Sequence, residues 1–205
     1  MFKTEGQEVK KAGLPKSLEP GVAYAHIYSG TVRTSKTGKK ALELILEGPE
    51  LPNFEGWAVD KDNQEGEKFK GQSSRVNASI YISDFNSDDI NKNEILAKLL
   101  CVADFVDSRK EVDAIGKNNN ITTIEQWVEA AIQILKGKDL FWFLKGTEEE
   151  YNGKTIVKLS LPKIKYCSSE KSELPAFDKA NKYHYTALAT KPVNGFEPVN
   201  DDFNV

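Results

Sequence analysis

Cysteine and histidine are scarce in this sequence, and their scarcity excludes several kinds of site. The chain has two cysteines and two histidines among 205 residues. Cys101 and Cys167 lack the spacing of metal ligands, and one distant pair is not the framework of a disulfide-stapled domain. His26 and His184 are equally distant, with no companions at the spacing of a metal site or a catalytic triad. We therefore expect no metal site and no disulfide scaffold.

Enzyme motifs are absent as well. The sequence contains no Walker loop, no G-x-S-x-G elbow, no H-E-x-x-H and no paired C-x-x-C. Three consecutive glutamates, Glu148 to Glu150, precede a turn signal and indicate a solvated surface. They have no partner acid that would indicate hydrolysis. We expect a protein that is not an enzyme and needs no cofactor.

Long apolar runs are missing too. No run approaches the roughly 20 residues of a membrane-spanning helix, and residues 1–13, MFKTEGQEVKKAG, contain no apolar signal region. We therefore expect a soluble, cytoplasmic protein with no membrane partner. The net charge of −3 gives no overall attraction to nucleic acid. Any such binding must come from an uneven distribution of charge.

The strongest pattern that is present begins with a strand-like run after residue 20. The run alternates at period two between a small apolar face and a face of rings. The apolar face carries Ala23, Ala25 and Ile27, and the other face carries Tyr24, His26 and Tyr28. Gly30 interrupts the run, as a bulge or bend in a long strand would.

A second run pairs with the first through a basic turn. Leu42, Leu44 and Leu46 form its core face. The turn between the runs holds four cations, Arg33, Lys36, Lys39 and Lys40. Residues 21–47 therefore predict a hairpin with a core face, an aromatic outer face and a cationic tip.

Three further strands are predicted along the chain. Residues 75–82 alternate cleanly and place Arg75 and Tyr81 on the outer face. Residues 138–146 are apolar on both faces, with Phe141 and Phe143 on the outer one. An Asn-Gly turn then leads to a last strand. That strand carries Lys154 and Lys158.

Apolar residues at three- and four-residue spacing predict a helix pair at about residues 88–137. Ser87 or Asp88 can cap the first helix. Thr122 and Glu125 stand in the capping-box relation at the start of the second, and Gly137 ends it.

This order of elements predicts a mainly β, α+β protein. Three strand regions, a helical segment and a final hairpin match an OB-like, five-stranded Greek-key barrel with the helix pair between strands three and four. A plain α+β sandwich would show the same order. We expect an N-terminal arm at 1–20, the barrel with its helical insertion at 21–166, and a flexible polar tail with an acidic end at 167–205.

In this organisation the sequence resembles the OB-fold single-stranded DNA-binding proteins of bacteriophages and bacteria. The resemblance covers roughly residues 21–166 and the last nine residues. It implies a non-enzymatic protein of DNA replication, recombination and repair, encoded by a phage and working in the host cytoplasm. It also implies that an acidic tail docks replication or recombination proteins. The matching tail residues are Glu197, Asp201, Asp202 and Phe203.

Proteins that hold single strands need cations along the backbone and rings on which bases stack. The candidate DNA-binding residues are Tyr24, His26, Tyr28, Arg33, Lys36, Lys39, Lys40, Lys68, Phe69, Lys70, Arg75, Tyr81, Phe141, Phe143, Lys154 and Lys158. Each group has a plainer interpretation. Phe141 and Phe143 can be packed on a covered face, Tyr24 and Tyr28 can shield a barrel edge, and the lysines can be ordinary turn residues.

Two functions are compatible with the pattern. The first is sequence-tolerant binding of single-stranded DNA. The second is an OB-like protein-interaction or virion module without nucleic-acid binding. The sequence leaves DNA against RNA and the oligomeric state open.

Overall fold

The computed structural model of the protein describes residues 17–48, 72–78 and 88–188. The strands are β1 (Gly21–Thr34), β2 (Lys40–Glu47), β3 (Ser73–Asn77), β4 (Asp139–Tyr151), β5 (Lys154–Ser160), β6 (Cys167–Ser168) and β7 (Tyr185–Thr186). The helices of the described part are α1 (Asp88–Phe105), α2 (Arg109–Ile115) and α3 (Ile124–Leu135), followed by a 3₁₀ turn at Lys171–Glu173.

The five long strands are paired in a closed ring. The pairing runs β1–β2–β3–β5–β4, and β4 returns to β1. Within the ring only β3 and β5 are parallel. The ring closes because β1 is long enough to pair with β4 through residues 21–26 and with β2 through residues 26–34. The expected mainly β, α+β class is confirmed.

β1 changes partner at a β-bulge. Ile27 pairs with Leu46 and Ser29 with Ile45, so Tyr28 has no partner of its own. The extra residue bends the strand and increases its twist. The sequence placed this irregularity at Gly30, two residues too late. Gly30 serves close packing instead, since a Cβ there would lie 2.8 Å from side-chain atoms of Leu44 and of Ile132 on α3.

The predicted core faces of β1, β2 and β4 are all buried. They comprise Ala23, Ala25, Ile27, Leu42, Leu44, Leu46, Leu140, Trp142 and Leu144. The largest of them, Trp142, is fully buried and donates its Nε1–H to the carbonyl oxygen of Ala25 at 2.8 Å. In β1 and β2, period-two alternation was sufficient to find these faces because one side of each strand lies inside the ring.

The helical segment contains three helices where two were predicted. The additional helix, α2, has seven residues and only Val112 and Ile115 are buried, too few to produce a periodic signal. α3 begins one residue later than predicted, because the capping box is formed by Thr123 and Gln126. α3 packs against β1, and α1 against β2 and β6. None of the described helices combines the length and apolarity needed to cross a membrane.

Residues 167–188 lie along β4, where the sequence predicted the start of a polar tail. β6 pairs with Phe141 and Trp142, and β7 pairs in parallel with Gly146 and Thr147. Glu148 fixes the end of this segment, because it accepts hydrogen bonds from the Tyr185 hydroxyl at 2.5 Å and from the Leu188 N–H at 2.9 Å. Part of the segment that the sequence assigned to the tail therefore pairs with the sheet. Strands of two residues are too short to show periodicity.

Candidate nucleic-acid interface

A groove crosses the outer side of β2, β3 and β5. Two adjoining cavities of about 300 Å³ and 420 Å³ form it. The charged residues that line it are Arg33, Arg75, Lys158, Glu43 and Glu149. We call this surface the arginine groove. Four different strands and the end of β1 meet there, and for that reason no single stretch of sequence reveals it.

Glu43 lies at the centre of the arginine groove and binds both arginines. Its Oε2 is 2.9 Å from Nη1 of Arg33, and its Oε1 is 3.4 Å from Nε of Arg75. The Glu43 side chain is only 8% exposed, whereas those of Arg33 and Arg75 are 55% and 66% exposed. The carboxylate is thus covered by the two guanidinium groups, and the guanidinium groups face solvent.

The third cation of the groove is Lys158, on β5. Its ammonium forms an ion pair with Glu149 of the neighbouring strand, and both side chains are about half exposed. An exposed pair of this kind contributes about 0–1 kcal/mol to stability and is screened by salt. Lys158 can therefore exchange Glu149 for a phosphate at little cost.

The β1–β2 turn extends the groove at one end with the lysines of the predicted cationic tip. Ser35 shapes the turn, because its side chain accepts from the Lys39 backbone N–H at 3.0 Å. Lys36 is exposed there. Lys40 points to α3 and pairs with Glu125, and this hydrogen bond and charge lower the pKa of the Glu125 carboxyl. The predicted cationic tip therefore includes an exposed lysine, Lys36, and a lysine that is paired with α3, Lys40.

The β4–β5 ribbon, residues 147–158, extends the groove at the other end. Residues Thr147, Glu149 and Tyr151 lie on one face of β4 by alternation, and the first two line the groove. Tyr151 is 64% exposed and pairs with Lys154 across the turn. The sequence analysis missed Tyr151. An aromatic residue directly before an Asn-Gly turn was the available signal.

Tyr24 and Phe141 form a separate aromatic pair away from the groove. The two residues are register partners in β1 and β4, and their ring centroids are 4.8 Å apart. Partial burial, helped by the charge of Asp139, raises the pKa of Tyr24. Tyr24 lies nine residues before Arg33 along β1, at most about 30 Å at roughly 3.3 Å per residue, and neither Tyr24 nor Phe141 lines the groove. The predicted convergence of rings and cations on one side therefore does not include this pair.

Two predicted stacking residues are covered. Phe143 is 1% exposed, because His184 contacts its ring edge-on at 4.9 Å and Phe177 lies at 6.4 Å. The sequence analysis allowed for a covered face here, and the C-terminal segment provides the cover. His26 is 8% exposed, with Nδ1 3.0 Å from Asp139 Oδ1 and Nε2 3.8 Å from Glu47 Oε2. Neither ring offers a face on which a base could stack.

Tyr28 is exposed but belongs to another surface. It stands at the β1 bulge with 48% of its surface exposed, and the Lys136 ammonium lies 4.8 Å from its ring centroid. Both residues border a cavity of about 400 Å³ between β1 and α3. This cavity shares no lining residue with the arginine groove.

The remaining candidates lie outside the described residues. These are Lys68, Phe69, Lys70 and Tyr81 of the predicted interface, and Glu197, Asp201, Asp202 and Phe203 of the predicted tail. Their roles stay predictions. Within the ranges that the structure describes, no group of three His, Cys, Asp or Glu side chains could hold a metal ion.

Comparison with known proteins adds no relative to this description. No protein-family model matches the chain, and a search of curated proteins finds no significant match. The function must therefore be argued from the groove itself.

Proposed function

We propose that this protein is a sequence-tolerant single-stranded DNA-binding protein built on an OB-like barrel. The order of the ring, the parallel β3–β5 pair and the helices between β3 and β4 support an OB-like connectivity. OB-folds bind oligonucleotides across strands two and three and the adjoining loops 1–2 and 4–5. The arginine groove occupies that position, between the β1–β2 turn and the β4–β5 ribbon. This coincidence of position carries the proposal.

The charges of the groove suit a phosphate backbone. Arg33, Arg75 and Lys158 come from three different elements and keep half or more of their surface in solvent. Guanidinium groups bind phosphate oxygens through paired N–H donors. Glu43 and Glu149 offset part of this charge, so we expect binding of moderate strength.

Tyr151 supplies the stacking surface in this proposal. Its exposed ring lies on the face of β4 that continues from Thr147 and Glu149, so a strand that crosses the groove reaches it. Base–aromatic stacking contributes about 1–3 kcal/mol per base and tolerates any base. Contacts to backbone and ring faces, without donors and acceptors matched to base edges, give binding without sequence preference.

The proposal is tested by fluorescence anisotropy of labelled oligo-dT over a salt series. The three cations of the groove neutralise two or three phosphates, because two neighbouring cations can share one, and at about −0.7 per phosphate they predict a log–log slope of about −1.4 to −2.1. Lysines of the β1–β2 turn make the slope steeper. Arg75→Ala should weaken binding and reduce the slope by at most about 0.7, and a duplex of the same length should bind more weakly. Absence of any anisotropy change at low salt would refute the proposal.

A protein-interaction module is the second candidate, and one observation favours it. The β4–β5 ribbon exposes Ile156 and Val157 in addition to Tyr151, at 36%, 43% and 64%. Exposed apolar residues on a projecting hairpin suit a protein partner as well as a base. Arg75→Ala distinguishes the two functions. The loss of a groove cation should weaken DNA binding, whereas binding of a protein partner to the apolar residues of the ribbon should be unchanged.

A further inference from the structure

The ion-pair geometry of Glu43 is unusual for an outer strand face. Each of its carboxylate oxygens faces a different arginine, Arg33 from β1 and Arg75 from β3. β2 lies between those two strands, so Glu43 joins three neighbouring strands through side chains. Glu43 is among the few polar or charged residues that are buried in the described part of the chain.

Within the described part of the chain, the contacts with Glu43 occupy one nitrogen of each guanidinium group. Arg33 meets Glu43 through Nη1, and Arg75 through Nε. A guanidinium has five N–H donors in a planar fork, so each arginine retains several donors on its exposed side. Because both arginines contact one carboxylate, their remaining donors are held close to each other at the mouth of the groove.

We propose that Glu43 is a positioning residue, which holds Arg33 and Arg75 as a two-armed clamp for a backbone phosphate of the bound strand. This inference rests on the proposed function and adds the ligand group that the arginines take. Long cationic side chains lose rotamer freedom when they bind, and ordering them beforehand removes that cost from binding. The clamp is thus ordered by a negative charge placed under it.

The clamp predicts a change in oligo-dT affinity that is opposite to the change expected from charge alone. Glu43→Gln removes one negative charge from the groove, so charge alone would strengthen binding to oligo-dT. The amide nitrogen of Gln cannot accept a hydrogen bond, so one arginine loses its partner. We expect oligo-dT to bind about 2- to 10-fold more weakly, which corresponds to ordering one side chain on binding.

Glu149→Gln is the matched control. Glu149 lines the same groove and also pairs with a cation, but its side chain is 45% exposed and it contacts a single lysine. This substitution removes the same charge without releasing a clamp. We expect tighter binding for Glu149→Gln and weaker binding for Glu43→Gln in the same buffer.

Testing Glu43→Gln in a protein that lacks both arginines distinguishes a positioning role of Glu43 from a general effect on the fold. When Arg33→Ala and Arg75→Ala are already present, Glu43→Gln has nothing to position and removes only a repulsive charge. We expect it to strengthen the residual oligo-dT binding there, so the effect reverses its sign. A merely structural role would weaken binding in both backgrounds. Thermal unfolding of each variant checks that all the proteins are folded at the temperature of the binding measurement.

The outcomes are distinct from those of the proposed function. If wild-type protein does not bind oligo-dT, the proposed function fails. If wild type binds and Glu43→Gln binds as tightly or more tightly, the function stands and the clamp is overturned. Should Glu43→Gln fail to fold, Arg33→Lys and Arg75→Lys replace it, since they keep the charge and lose the fork. Unchanged affinity of both lysine variants would also overturn the clamp.

Discussion

Gly146→Ala tests whether the C-terminal segment is packed on β4 as described. Gly146 lies between β5 and β7, as partner of Leu159 on one side and of Tyr185 on the other. A Cβ at this position would stand 2.5 Å from Cγ of Pro20 and 2.7 Å from two ring atoms of Tyr185. Optimal carbon–carbon contacts are about 3.5–4.0 Å. Each contact would therefore be too short by about 1 Å.

The surroundings limit how this clash can be relieved. The Pro20 ring can move its Cγ only by a change of ring pucker, and the Tyr185 hydroxyl is bound to Glu148. Overpacking of a close-packed site costs about 1–3 kcal/mol, which lowers the melting temperature by about 2–4 °C for each kcal/mol in a chain of this size. The weaker attachment is the two-residue strand β7, so we expect β7 to detach before the ring distorts.

Two measurements distinguish these events. Urea unfolding gives the loss of global stability, and hydrogen exchange reports the amide of residue 146, which donates to the His184 carbonyl oxygen at 3.0 Å. Gly116→Ala is the control, because Gly116 has helical dihedrals and its nearest contact would be an ordinary 3.6 Å. The control should be neutral or slightly stabilising. A Gly146→Ala protein with wild-type stability and wild-type exchange at residue 146 would refute the packing described.

Three further predictions concern single side chains. Tyr151→Ala should weaken oligo-dT binding by about 1–3 kcal/mol, the contribution of one stacked base, while Tyr151→Phe should retain it; equal loss in both would exclude stacking. A hydrogen bond from Cys167 lowers the pKa of the Cys101 thiol to about 6, so its alkylation by iodoacetamide should level off above about pH 7. Cys167→Ala should move that plateau to higher pH. Because Lys40 lowers the pKa of Glu125, their pairing stabilises the fold above the ordinary glutamate pKa of about 4.3 and is lost as pH falls through the lowered value. Carboxyl NMR should show the Glu125 midpoint rising in Lys40→Met.

The sequence was sufficient for those parts of the fold that have one buried side. The alternating runs around Ala25, Leu44 and Trp142 were correctly assigned to the core, since a closed ring has an inside that excludes water. The order of strands and helices also followed from these runs. Errors of one or two positions arose where side chains compete locally, as at Thr122 and Thr123, either of which can cap a helix.

The outer faces could not be assigned in the same way. Tyr24 on β1, and Phe141 and Phe143 on β4, alternate with the core residues of their strands and so face away from the ring interior. The sequence analysis interpreted that outer side as open surface. Two of these rings pack against each other, and the third is covered by residues from 177 to 184, which show no periodicity. When an irregular segment covers a strand, the sequence pattern of that strand does not indicate it.

Charge was the better indicator of an open face, for a physical reason. A ring on an outer face gains free energy when any segment covers it, whereas an unpaired cation loses its hydration when it is covered. Arg33, Arg75 and Lys158 were chosen from the sequence as cations of the outer faces, and these three line one groove. Tyr151 remains exposed because it ends a ribbon that projects beyond the ring. On the outer side of a closed sheet, cations from several strands together with a ring at a hairpin end therefore indicate an open face better than a row of aromatic residues does.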